Sequence, residues 1–241
     1  MQNNMKKILL YLAAAATMFA CAKEIAAPEQ ATTDTGTDTD SVELISGNIE
    51  FSGTLEAPLS SAPRTRTELG DRTDNGDGTF TTKVLWDAGD EIAIFWGGGE
   101  GDNTTARAAA AGQTATFNAT VGEAADFYAV YPASLNATCN GEGGLLFTIP
   151  GVQDGSFAKA GLLVARNDST SFAFKNVCGI LKFTASDDVT AVKIHGANDE
   201  SLAGSVKVTF SGGMPIVALT DALDEITLNV PGEGTYYICT Y

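Results

Sequence analysis

Trp86-Asp87-Ala88-Gly89-Asp90-Glu91-Ile92-Ala93-Ile94-Phe95-Trp96 is the stretch whose reading decides the fold. An apolar segment ends at Trp86, four polar or small residues follow with glycine third, and a second apolar block runs to Trp96. Short blocks of β-branched and aromatic residues bounded by Gly and Asp are the pattern of strands joined by a tight turn. Outward from it, the same pattern predicts strands at 48–53, 79–86, 114–121, 127–131 and 145–149, then at 172–184, 189–194, 204–210, 226–230 and 235–241. Asp74-Asn75-Gly76-Asp77-Gly78 holds both Asn-Gly and Asp-Gly, pairs that accept positive φ in hairpin loops. Only 106–111 and the N-terminal segment read as helical. Many short strands with regular turns predict an all-β body of sandwich or barrel type.

The first residues carry a different message. Met5-Lys6-Lys7 precedes an apolar run from Ile8 to Ala16, and small residues lead to Ala20-Cys21. A cationic start, a short apolar core and a small-residue cleavage point make a secretory signal. The run is too short to cross a bilayer, which takes about 20 apolar residues. Cysteine directly after Ala20 resembles the bacterial lipoprotein signal, so lipid attachment is expected on Cys21 after loss of residues 1–20. Residues 21–45 are poor in large apolar side chains and predict a flexible tether. Ala22-Lys23-Glu24 resembles the short charged signals that send Bacteroidales lipoproteins to the cell surface. Asp40-Ser41-Val42 is similar to the O-glycosylation acceptor triplet of that group, which makes Ser41 a candidate.

Charge narrows the partners. The formal net charge is −16, and removing the signal deletes Lys6 and Lys7 but no acid, giving −18. Such a surface repels phosphate backbones, so no nucleic-acid partner is expected. Of four cysteines, Cys139, Cys178 and Cys239 remain once Cys21 is lipidated. The spacing defines no disulfide framework, and no CxxC or Cys/His pair predicts zinc. Asp71, Asp74 and Asp77 could attract calcium, but their order departs from the calcium-loop pattern and a turn explains them. No metal or cofactor is expected.

Catalysis has little to build on. His195, the single histidine, lies at a strand end, and no Gly-x-Ser-x-Gly supplies a nucleophile on a sharp turn. Phosphate-cradling motifs are absent too. The chain is therefore expected not to be an enzyme.

Several segments, taken in order, resemble fimbrillin-like lipoproteins. Pro63-Arg64-Thr65-Arg66-Thr67 followed by Trp86–Phe95 is similar to the family's "TRT … W..GD.I.vf" signature, and Phe127-Tyr128-Ala129-Val130-Tyr131-Pro132 resembles its "yyavYP" strand. Ile149-Pro150 with Gln153, Leu162–Ala165 and Phe174–Leu181 continue in the expected order. The resemblance covers most of 46–241. It implies two transthyretin-like β-sandwiches, at 46–170 and 171–241, and a surface-exposed lipoprotein of the outer membrane or of a fimbrium. It also implies a pilus subunit joined to other subunits by strand addition, with a host glycan or protein as adhesion target.

In that family a protease cuts after a basic residue beyond the first strand, and a neighbour's segment replaces the strand. Carried over, the cut falls at Arg64 or Arg66, and the removable strand includes Ile49, Phe51 and Leu55. This reading requires Ile49 and Phe51 to lie in a sheet without being locked centrally between two partners. The chain departs from the family by stopping at Tyr241, which leads to the expectation of a fragment whose second sandwich is incomplete. The rival reading is a monomeric surface glycan-binding lipoprotein, with Trp96 beside Gly97-Gly98-Gly99 as its one aromatic platform.

Overall fold

The structure is a computed structural model that describes residues 43–56, 68–76, 80–97, 101–140 and 143–241. In chain order its strands begin with β1 (Ile45–Leu55), β2 (Glu68–Asp74), β3 (Phe80–Leu85), β4 (Glu91–Trp96), β5 (Asn103–Arg107) and β6 (Thr114–Ala124). Next come β7 (Phe127–Tyr131), β8 (Thr138–Asn140), β9 (Gly144–Ile149), β10 (Val152–Gln153), β11 (Leu163–Asn167) and β12 (Ser171–Asn176). The last six are β13 (Gly179–Ala185), β14 (Ala191–His195), β15 (Ala203–Ser211), β16 (Met214–Leu223), β17 (Glu225–Asn229) and β18 (Gly234–Thr240). One turn of helix, Phe157–Ala160, and a 3₁₀ turn, Ala133–Leu135, interrupt an otherwise all-β body.

The turn quoted first does what its residues require. Gly89 takes φ +91°, open to glycine at little steric cost, and the Asp87 N–H donates to Asp90 Oδ2 at 2.6 Å. The Asp90 main chain then pairs with Ala108, whose N–H donates to the Asp90 carbonyl at 2.8 Å. Here the helical expectation for 106–111 fails. Ala106 and Ala108 are buried in the strand and its extension, because packing against β4 and β6 outweighs alanine's helix propensity.

Seven strands form one sheet in the order β5-β4-β7-β11-β12-β1-β6. The sheet rolls until its two edges meet: Ala108 bridges Phe117, and the Ala109 N–H donates to the Thr116 carbonyl at 3.0 Å. Inside the roll lies one core, with Trp86 at its centre and Phe51, Phe117, Phe127, Phe172 and Phe174 around it. Trp86 meets Phe117, Tyr131 and Phe174 edge-on at 5.2–5.3 Å between ring centroids, a preferred aromatic arrangement.

β4, β7 and β11 carry continuous rather than alternating apolar runs because both of their faces are buried. Ile92, Ile94, Phe127, Ala129, Leu163 and Ala165 point into the rolled core. Ala93, Phe95, Tyr128, Val130 and Val164 point the other way, into a second core. That second core is completed by the sheet β16-β15-β9-β8 and by β10-β17-β14 and β13-β18. The two cores thus share the middle of one sheet, and Ser41–Tyr241 forms a single compact unit. The expected boundary between 170 and 171 needs correction. β12 begins at Ser171 and belongs to the seven-stranded sheet, whereas β8 and β9, assigned to the first domain, lie in the other sheet system.

Candidate functional site

The candidate removable strand, β1, is built by alternation. Phe51, Gly53 and Leu55 face the rolled core, while Glu50 and Thr54 are exposed. β1 runs antiparallel to β6 from Ile45 to Thr54, placing Ile49 opposite Ala119 and Phe51 opposite Phe117. Its other side pairs in parallel with β12 only from Ser52 to Leu55, opposite Ser171 to Phe174. Side chains repeat the two-sided grip: Ser52 Oγ bonds Ser171 Oγ at 3.1 Å, and Thr54 Oγ1 bonds Thr114 Oγ1 at 3.0 Å. Beyond Leu55, Glu56 pairs with Lys175 of β12 at 3.3 Å.

Ile49 and Phe51 therefore lie in a sheet, on the half of β1 that has one neighbour. Ser52–Leu55 is held between two. The place β1 fills is accordingly a slot between β6 and β12, roofed by aromatic rings. Phe51 is fully buried, 5.3 Å from the ring of Phe127 edge-on and 5.3 Å from that of Phe172 in a stack. Gly53 has no room for a side chain, since a Cβ there would lie 2.7 Å from Phe117 Cε2. Its carbonyl accepts the buried Trp86 Nε1–H at 2.9 Å, which locks the strand to the centre of the core.

Cys21, Ser41, Arg64 and Arg66 lie outside the described residues, as do the signal and most of the tether. Of the three aspartates weighed for calcium, Asp74 accepts the Gly76 N–H at 2.8 Å in a local turn. Asp77 and the side chain of Asp71 lie outside the described residues.

The rival sites are less persuasive in place. Trp96 is half-buried, with its indole lying across Gly122, where a Cβ would meet Nε1 at 2.4 Å. Packing accounts for Trp96 without a ligand. His195 is exposed, and its Nε2 faces Glu225 Oε2 at 2.9 Å. Glu225 also takes the Lys193 ammonium at 2.9 Å and the Thr227 hydroxyl at 3.2 Å. The Lys193 hydrogen bond, with further help from Thr227 and His195, holds that carboxyl below its ordinary pKa. Lys193, His195 and Glu225 thus form an exposed polar cluster across β14 and β17.

One feature was not legible as a site. A cleft of about 350 Å³ opens beside β10 and β18, walled by Pro132, Pro150, Leu162 and Tyr237. At its floor Gln153 imitates a missing strand: its Nε2 donates to the Cys239 carbonyl at 2.8 Å, and its Oε1 accepts the Cys239 N–H at 2.9 Å. The sequence offers Gln153 only as part of a family pattern, with no sign of its main-chain-like role.

No protein-family model, curated protein or solved structure matches the chain.

Proposed function

We propose that this chain is a fimbrillin-like lipoprotein of the cell surface, without catalysis, that serves as a structural or adhesive pilus component. The observation that carries the reading is the place of β1. It fills a slot in a rolled sheet with alternate apolar side chains, and its covalent link to β2 runs only through residues 56–67, the segment that contains Arg64 and Arg66. A single cut there turns a strand of the fold into a bound peptide.

What the slot then offers is pairing on two sides along Ser52–Leu55, on one side along Ile45–Phe51, and pockets for alternate side chains. Those are the terms on which strand addition works. The two-sided grip also sets a limit. Unpaired N–H and C=O groups around an empty slot are costly, and Phe51 and Leu55 would leave apolar surface in water. The cut strand stays in place unless a competing strand takes over its bonds as it leaves. The process is exchange, not release. Lipid on Cys21 anchors the uncut chain to the membrane, each buried methylene contributing about 0.8 kcal/mol, and it leaves with β1 when that strand is exchanged.

The test uses purified full-length protein cut by limited trypsin at Arg64 or Arg66. A fluorescent peptide with the sequence of Ile45–Leu55 should then enter the cut protein slowly and fail to enter the intact one. Absence of uptake after a verified cut would remove strand exchange from the proposal. Uptake by the uncut protein would show that the segment after β1 does not control the slot.

A further inference from the structure

We propose that Cys178 and Cys239 are a thiol pair that closes to a disulfide when the folded protein meets an external disulfide, joining the entry of β13 to the last strand, β18. The placement comes from register. Cys239 lies opposite Ile180 in the β13–β18 ladder, and Cys178 is two residues before Ile180. Cross-strand partners share a face, so Ile180 and Cys239 point to the same side, and Cys178 sits at the bend that leads into β13, beside the Gly179–Thr240 pair. That side is the second core: Cys239 is among its buried residues, and Cys178 and Ile180 pack against it. The neighbourhood of Cys178 is felt at Cys239, whose thiol pKa it raises. Neither is in a disulfide in this structure.

Neighbouring groups hold the two sulfurs for reaction. Gln153 fixes the backbone of Cys239 from both its N–H and its carbonyl. Cys178 Sγ is aimed at the Ala160 carbonyl at 3.3 Å, and Ala160 and Cys239 line the same cleft. Cys178 is half-buried and Cys239 almost fully buried, so the order of events follows from access. The neighbouring Cys178 and burial together push the Cys239 thiol well above its ordinary pKa, which keeps it protonated until its partner has reacted.

The step balances with an external disulfide as oxidant, such as that of a protein dithiol oxidase or oxidised glutathione. The Cys178 thiolate attacks one sulfur of that disulfide and expels a thiol. Cys239 then loses its proton and attacks the Cys178 sulfur, expelling the second thiol. Two protein thiols are oxidised, one external disulfide is reduced to two thiols, and the two thiol protons pass to the expelled thiolates. Cys139 takes no part; its Sγ faces the Asn140 carbonyl at 3.6 Å from a different strand pair.

Closure in the cell depends on the exported location proposed above, but reaction with glutathione in solution does not, so the two ideas fail separately. The experiment treats full-length protein carrying Cys21→Ser with oxidised glutathione, alkylates the remaining thiols after denaturation, and maps peptides without reduction. The expected result is one linked pair of peptides containing Cys178 and Cys239, two hydrogens lighter than their sum, with Cys139 alkylated. The Cys239→Ser variant should stop at glutathione on Cys178. Separately alkylated Cys178 and Cys239, or glutathione persisting on Cys178 while Cys239 stays free, would overturn the proposal. So would a Cys239→Ser chain that takes up no glutathione at all.

Discussion

Replacing Phe51 by alanine probes whether β1 is a structural strand or a loosely added one. The ring is fully buried, stacked on Phe172 and met edge-on by Phe127. Phe→Ala changes in cores cost about 3–5 kcal/mol, more where the cavity cannot collapse. The rings that face Phe51 sit on β7 and β12, both fixed within the same sheet, so little collapse is available and about 4 kcal/mol is expected. With a urea m-value of about 2 kcal/mol/M, the unfolding midpoint should fall by roughly 2 M. Fluorescence of the buried Trp86 reports the transition. Ile49→Ala, on the half-buried and singly paired part of β1, should cost only about 1 kcal/mol. A Phe51→Ala loss below about 1 kcal/mol, or one no larger than that of Ile49→Ala, would refute the claim that β1 closes the rolled core.

Other perturbations follow from the same geometry. Gly53→Ala should destabilise by about 1–3 kcal/mol through overpacking against Phe117 and Phe174, measured in the same urea titration. Gln153→Ala leaves the Cys239 N–H and carbonyl without their side-chain partner and should cost roughly 2 kcal/mol. Hydrogen exchange at the Cys239 amide should accelerate in that variant while β1 stays protected. Asp154 is held below its ordinary 3.8 by the Lys159 hydrogen bond at 2.5 Å and by the Ser156 N–H. A depressed carboxylate contributes stability that is complete above its unfolded pKa and lost as pH falls through its folded one. Stability should therefore decline below about pH 4. Lys159→Met should flatten that acid limb slightly, because the pair is solvent-exposed.

The strands legible in the sequence are those whose neighbours mark their ends. Glu91–Trp96 and Phe127–Tyr131 are bounded by Gly, Asp and Pro and match residue for residue. The stretch 172–184 reads as one strand but breaks at Val177-Cys178, where the chain leaves the seven-stranded sheet for β18. Periodicity is blind to a change of sheet when apolar residues continue through it. β16 is not legible in the sequence because Met214-Pro215-Ile216-Val217-Ala218 carries a proline second, and outward Met214 and Ile216 are apolar yet exposed, so alternation is hidden. Alanine at 106–111 misled by propensity. In the candidate site, the alternation of Phe51 and Leu55 was readable, but the parallel pairing with β12 was not. A parallel partner more than a hundred residues away leaves no local mark, and it is this partner that makes the place of β1 a slot.

The central claim, that this molecule acts by exchanging β1 within a surface-anchored polymer, is tested most directly by the N-terminus of the protein recovered from surface assemblies. Mass spectrometry of that material should find chains beginning at Thr65 or Thr67, with another subunit's segment in the place of Ile45–Leu55. Assemblies in which every chain still begins at lipid-bearing Cys21 and runs uncut through Arg66 would contradict it.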